Sequence, residues 1–212
     1  MIKSKVKKMI ATSLIVVASL AFFTTSSYAY DPNLKKDRYF GGNIVTGLDR
    51  PVWYSPSVSS YGYTGAFDVG RTYWNKDTKA NLWRSDQVNN STDRYYVGTS
   101  YGGDLDTTGR TTPYRLVNGK AVLAETDENW NFSVVTIYND AFKKKRWFGF
   151  SYRAMDADEI RKTAAHEVGH SVKIAHNLKG TLETVMRQGI FDIPSTTIRL
   201  YDKQSMESKW GK

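Results

Sequence analysis

Hydrophobic and polar positions follow two rhythms along this chain. Short apolar and β-branched runs at Pro51-Val52-Trp53-Tyr54, Tyr95-Tyr96-Val97-Gly98, Ala121-Val122-Leu123-Ala124-Glu125-Thr126 and Phe132 to Tyr138 predict strands. Phe148-Gly149-Phe150-Ser151-Tyr152 competes as a further strand. Helical spacing appears between Tyr61 and Asp77, where Tyr63, Phe67, Val69, Tyr73 and Trp74 outline an apolar face despite three glycines. A second helix is predicted to open at Asp156-Ala157-Asp158-Glu159. Asp156 and Glu159 have capping-box spacing, and acidic groups near the first turn complement the helix dipole. Ile160, Ala164, Val168 and Val172 supply its core face. Pro194-Ser195 predicts the start of a last helix carrying Ile198, Asp202, Met206 and Trp210. Tyr101 to Pro113, rich in Gly, Thr and Asp, reads as loop. No repeat, low-complexity linker or second domain boundary interrupts this series.

The amino terminus follows neither rhythm. Lys3, Lys5, Lys7 and Lys8 precede an apolar stretch from Met9 to Phe23, too short for a clear membrane span, and Ser27-Tyr28-Ala29 places small residues at a cleavage site. A signal peptide over 1–29 and a single exported domain over 30–212 are therefore expected, against the alternative of an uncleaved anchor. The absence of cysteine excludes a disulfide framework, and a chain of this length can bury one core without such staples. The net charge of +9 falls to about +5 once the four signal lysines are set aside. That is enough for weak attraction to an anionic cell wall. The one dense basic run, Lys143-Lys144-Lys145-Arg146, reads as a solvated loop, and nothing resembles a nucleic-acid module. A secreted monomer is expected, with cell-envelope association left open.

The chemistry is concentrated in one run. The chain has three histidines, at His166, His170 and His176 within His166-Glu167-Val168-Gly169-His170-Ser171-Val172-Lys173-Ile174-Ala175-His176. Residues four apart share a helix face, so His166 and His170 can address one ion. Glu167 lies about 100° round the same helix, outside the ligand pair yet close enough to take a proton from a water held by the metal. Had the helix continued, His176 would stand roughly 15 Å along the axis from His166 at ~1.5 Å per residue. A chain reversal after His170 is therefore required. Three neutral imidazoles and one open position make up the ligand set of catalytic zinc.

This run resembles the metzincin zinc-peptidase signature H-E-x-x-H-x-x-G-x-x-H, with Lys173 in place of the motif glycine. A left-handed conformation at that turn costs a non-glycine residue ~1–2 kcal/mol. Thr184-Val185-Met186-Arg187-Gln188-Gly189 is similar to the Met-turn, in which Met186 would form an apolar floor beneath the ligands. Gln188 stands where astacin-like and serralysin-like members place a tyrosine ligand, and the short gap from His176 to Met186 is similar to matrixins. The resemblance implies an α+β, zincin/metzincin-like fold: a twisted, mixed but mostly parallel sheet with an antiparallel edge strand, a long active-site helix and a carboxy-terminal helix. The Tyr61–Asp77 helix would lie behind the sheet, and Ala121 to Thr126 would be the edge strand rimming the cleft, where an extended peptide pairs through its backbone.

The implied activity is secreted zinc metalloendopeptidase, with one catalytic Zn2+ held by His166, His170 and His176 and the water activated by Glu167. Val185, Ile190 and Ile193 would wall a pocket for a hydrophobic residue just after the cleaved bond. The lack of cysteine rules out a cysteine-switch latency. Structural calcium is common in matrixin loops, and Asp104-Leu105-Asp106-Thr107-Thr108-Gly109 opens like a calcium loop. Arg115 stands where an EF-hand requires Glu, which leaves a site of another kind or an ordinary turn-forming loop. Two other functions stay open. One is a zinc-binding interaction protein with little peptidase activity, motivated by a Lys173 ammonium that would oppose the metal if aimed at the cleft. The other is a hydrolase of cell-wall peptides.

Overall fold

The computed structural model describes residues 38–100, 107–141, 156–177, 184–187 and 197–212. The expected signal peptide, the basic run at 143–146 and the competing strand at 148–152 lie outside them. The described residues form an α+β unit with a six-stranded mixed sheet and four helices. In chain order the elements are β1 (Asp49–Tyr54), α1 (Pro56–Ser60), α2 (Thr64–Asn75), β2 (Asn81–Arg84), β3 (Asp93–Gly98), β4 (Gly109–Val117), β5 (Lys120–Leu123), β6 (Phe132–Tyr138), α3 (Ala157–Ser171) and α4 (Leu200–Trp210). No described helix is long and apolar enough to cross a membrane.

The sheet order is β2-β1-β3-β6-β4-β5. β2, β1, β3 and β6 run parallel, whereas β4 is antiparallel to both β6 and β5. Alternating burial along β1, β3 and β6 shows one face turned to the core. On that face Phe67 of α2 packs on Tyr95 with ring centroids 4.9 Å apart. α2 also lies against α3. Trp74 Nε1 donates to the Ala165 carbonyl at 2.7 Å, and a Cβ at Gly70 would come within 3.0 Å of the Ala164 backbone. The glycine that weakens α2 as an isolated helix is thus what lets α3 approach it.

Two buried charges join the sheet to α3. Arg50 Nη2 donates to Asp93 Oδ1 at 2.6 Å, and Ser133 donates to the same oxygen from its backbone N and its Oγ. Arg50 also reaches the Asn131 carbonyl at 3.2 Å, and its Nη1 lies 3.5 Å from the carbonyl of Ser171 at the carboxy-terminal end of α3. Burial pushes the Asp93 carboxyl pKa up, against the opposing pull of Arg50 and Ser133. A cation at the end of α3 also complements its dipole.

Three expectations need correction. Gly109 to Pro113 is not loop but the first half of β4, paired with β6 from Gly109↔Ile137 to Pro113↔Ser133. The proline is tolerated because β5 ends at Leu123 opposite Tyr114, and beyond it only the Ala124 backbone N reaches back to the Pro113 carbonyl, at 3.1 Å. Arg115 likewise lies within β4 and belongs to no calcium loop, and Asp104 and Asp106 fall outside the described residues. The strand beside β6 is consequently β4, not Ala121 to Thr126. The latter contributes only the short β5 at the outer edge. The last helix begins at Leu200 rather than at Pro194-Ser195, which lie outside the described residues. Arg199 is held extended before it, its backbone N donating to Tyr73 Oη at 3.0 Å.

Candidate metal centre

α3 forms where the sequence places it. Asp156 accepts from the backbone N of Asp158 and Glu159, and Glu159 returns a hydrogen bond to the Asp156 backbone, completing the capping box. The helix stops at Ser171 because Lys173 takes up φ +73°. The Lys173 backbone N then donates to the His170 carbonyl at 3.0 Å and that of Ile174 to the Gly169 carbonyl at 2.9 Å. These two bonds make a Schellman turn, the helix ending that usually takes glycine in the left-handed position. The reversal carries His176 back onto the face occupied by His166 and His170.

His176 Nε2 lies 2.9 Å from His166 Nε2 and 3.1 Å from His170 Nε2. All three residues offer a ligand atom to one point, and this is the group able to hold a metal ion among the described residues. The partners on the far sides of two rings fix the tautomers. His166 Nδ1 faces the Val185 carbonyl at 2.6 Å and His170 Nδ1 the Ile174 carbonyl at 2.8 Å. A carbonyl can only accept, so each Nδ1 carries the proton and each Nε2 keeps its lone pair. Burial, reinforced by the neighbouring histidines, holds both imidazoles neutral: the pKa of His166 falls to about 3 and that of His170 well below its ordinary value. The two lone pairs face His176 Nε2, and a cation at that point would be shared by all three rings. The donor set therefore fits a bound metal ion.

Glu167 is buried at 6% exposure and turns to β4. Thr111 Oγ1 lies 2.9 Å from Glu167 Oε2 and 2.7 Å from the Glu167 carbonyl. One hydroxyl proton cannot serve both acceptors at once, so Thr111 can follow a proton arriving on the carboxyl by turning to the carbonyl. Desolvation raises the Glu167 pKa to about 8 without a metal, while Thr111 and Arg110 pull it down. A divalent cation nearby would pull further in the same direction. Gly109 makes room for this side chain: a Cβ there would lie 2.7 Å from Glu167 Cγ and 2.9 Å from Oε1. Gly109→Ala is expected to displace the carboxylate and destabilise the fold by about 1–3 kcal/mol, read from a thermal melt.

Met186 is fully buried, and its Sδ would overlap a Cβ at Gly169, so the thioether lies directly beneath the helix turn that carries the ligands. Thr184 Oγ1 accepts from the Met186 backbone N at 3.0 Å, and the Asn177 backbone N donates to the Met186 carbonyl at 2.9 Å. Val185 belongs to the core at 1% exposure, and its service to the site is the carbonyl that orients His166 rather than an open apolar wall. Ile190 and Ile193 lie outside the described residues. Thr111 and Gly109 carry no local signal, because their segment reads as loop. Sequence pattern marks Asp202 only as a position on the last helix. Its carboxylate accepts from Thr184 Oγ1, from the Val185 backbone N at 3.1 Å and from Tyr73 Oη at 2.5 Å.

Lys173 points neither at the histidines nor outward. Its Nζ donates to the carbonyls of Gly41, Thr126 and Glu128 at 2.8, 3.3 and 2.6 Å, and it sits 3.5 Å from the Trp130 ring centroid. Neither a family model nor a curated protein matches the chain.

Proposed function

We propose that the protein is a zinc-dependent endopeptidase of metzincin type, matrixin-like and acting outside the cell. The observation that carries this reading is the convergence of three imidazole Nε2 atoms beside the buried Glu167, with Met186 beneath. Tetrahedral zinc with nitrogens at ~2.1 Å would space them about 3.4 Å apart, a few tenths of an ångström beyond the 2.9 and 3.1 Å found here. The mostly parallel sheet with an antiparallel strand on the α3 side is compatible with a zincin-like fold. Lys173 turns its charge away from the histidines into a cradle of carbonyls, which removes the motive for reading the site as a retired enzyme.

His166, His170 and His176 would hold the zinc. When bound, it supplies a Lewis acid that acidifies water and polarises the scissile carbonyl. Glu167 accepts the proton from the attacking water and delivers it to the leaving amine. Thr111 holds the carboxylate in place and rotates with its protonation. Residues 109–112 of β4 pair only with β6 among the described residues, which leaves one backbone edge beside Glu167 for a further strand. An extended peptide adding there would be aligned by main-chain hydrogen bonds. The rim that the sequence assigned to Ala121–Thr126 is thereby moved one strand inward.

The test is zinc stoichiometry of the purified mature protein together with cleavage of a quenched, unfolded protein substrate. One zinc per chain is expected, with cleavage abolished by a chelator and restored by zinc. A chain that takes up no zinc would sink the proposal. One zinc with turnover only of purified cell wall would assign the cell-wall peptide reading instead.

A further inference from the structure

Sequence position 173 falls where a glycine would end the helix at least cost, yet the chain holds a fully buried lysine there in a left-handed conformation. Its surroundings explain why. Two backbone segments, Gly41-Gly42 and Asp127-Glu128, lie so close that a Cβ at Gly41 would come within 2.9 Å of Asp127 Cβ, and one at Gly42 would overlap the Glu128 backbone. Carbonyls from both segments converge on one point, where like dipole ends repel unless a cation neutralises them. The three N–H donors of the Lys173 ammonium match the three carbonyls and the Trp130 face closes the cradle; together they hold the proton against burial and the nearby Lys209, which pull its pKa down to about 7. Lys209 Nζ reaches the Gly42 carbonyl from α4.

The segment so held is stitched directly to the metal-ligand turn. The Phe40 backbone N donates to the Lys173 carbonyl at 2.8 Å, the Ala175 backbone N to the Arg38 carbonyl at 3.1 Å, and Tyr39 bridges Ile174 in antiparallel fashion. The Phe40 ring lies 5.6 Å from the His170 ring. On its other side the segment joins the loop before β6: the Val45 backbone N donates to the Trp130 carbonyl and the Trp130 backbone N to the Asn43 carbonyl. His176 is therefore flanked by two supports. The Arg38 carbonyl pins Ala175, and the Met186 carbonyl pins Asn177.

We propose that Lys173 acts as a built-in cation that clamps the amino-terminal segment Arg38–Ile44 onto the turn carrying His176, making that segment a working part of the metal site. The inference rests on the metal-centre reading above. It makes Lys173 a positioning residue: the ammonium holds the strap, the strap holds the turn, and the turn places the third ligand. Coupling between sites is reciprocal, so metal bound at the histidines should also protect the strap.

The test uses the mature chain with Lys173→Met, which keeps the stem but not the charge, and Lys173→Gly, which suits the turn but leaves the cradle empty. Cobalt binding is followed by its visible absorption, and backbone hydrogen exchange is read at Phe40 and Ala175. Both variants should bind cobalt at least about tenfold more weakly, a change of ~1.4 kcal/mol, and exchange faster at both amides. Ammonium chloride should recover part of the loss in Lys173→Gly, where sodium chloride at equal ionic strength does not. In the wild type, removing the metal should quicken exchange at Phe40.

The clamp is overturned if Lys173→Gly binds cobalt as tightly as the wild type with its strap amides equally protected. It is also overturned if both variants fold but ammonium has no effect. Should a variant fail to fold, unchanged Phe40 exchange on metal removal from the wild type overturns the coupling. A wild type that binds no cobalt refutes the metal-centre reading itself, and the exchange data on the variants then still decide whether Lys173 secures the strap.

Discussion

Glu167→Gln should lower kcat by about 10²–10⁴-fold while leaving KM and metal content nearly unchanged. The magnitude is that of losing a positioned proton-transfer group, and the selectivity follows from the geometry. Glu167 shares α3 with His166 and His170 but turns to Thr111 and Gly109 of β4 and is no member of the ligand cluster. Glutamine keeps the volume and an oxygen for Thr111, yet cannot take up a proton. The same change should stabilise the metal-free protein. A carboxyl whose pKa burial raises to about 8 carries a desolvation penalty that a neutral amide avoids. Lower activity together with a higher melting temperature of the metal-free chain is the signature of a functional group kept at the expense of stability. Measuring kcat, bound zinc and the melt on one preparation checks all three. A variant that retains activity at equal metal content would remove Glu167 from the mechanism.

The legible parts of this site were those written in local periodicity. Histidines four apart, the Asp156/Glu159 capping box and the alternating runs at Val52, Tyr95 and Phe132 to Tyr138 each depend on neighbours within a few residues, and each stands where it was expected. The need for a reversal before His176 was likewise a matter of helix rise. What local pattern concealed was supplied by distant partners. Gly109 to Pro113 has the composition of a loop and becomes a strand only because β6, with partners 20 to 28 residues on, offers it a ladder. Lys173 could be recognised as the wrong residue for a left-handed turn, but its compensation comes from carbonyls 132, 47 and 45 residues away. A single sequence carries no local trace of such convergence.

Asp202→Ala should be the most damaging substitution outside the ligands, destabilising the fold by about 3–6 kcal/mol. The buried carboxylate is the common acceptor for Tyr73 Oη from α2 and for Thr184 Oγ1 and the Val185 backbone N from the turn at 184–187. Alanine leaves these donors unmatched in a region with no exposure, at about 1–3 kcal/mol each. In a chain of this size that corresponds to a fall in Tm of about 6–24 °C. The consequence runs on to the metal centre. Val185 is held through its N–H by Asp202 and through its carbonyl holds His166 Nδ1, so losing the first bond loosens the second and with it the His166 ring. Asp202→Asn separates the two effects. It preserves the volume and one acceptor oxygen, so it should fold with a smaller loss, yet the charge and one of the two acceptor oxygens are gone. Reduced cobalt affinity in a folded Asp202→Asn protein would show that α4 sets the geometry of the histidines through the turn at 184–187. Wild-type affinity with only a lower melting temperature would confine Asp202 to stability, and the precision of the site would then rest on the Schellman turn and the Lys173 clamp.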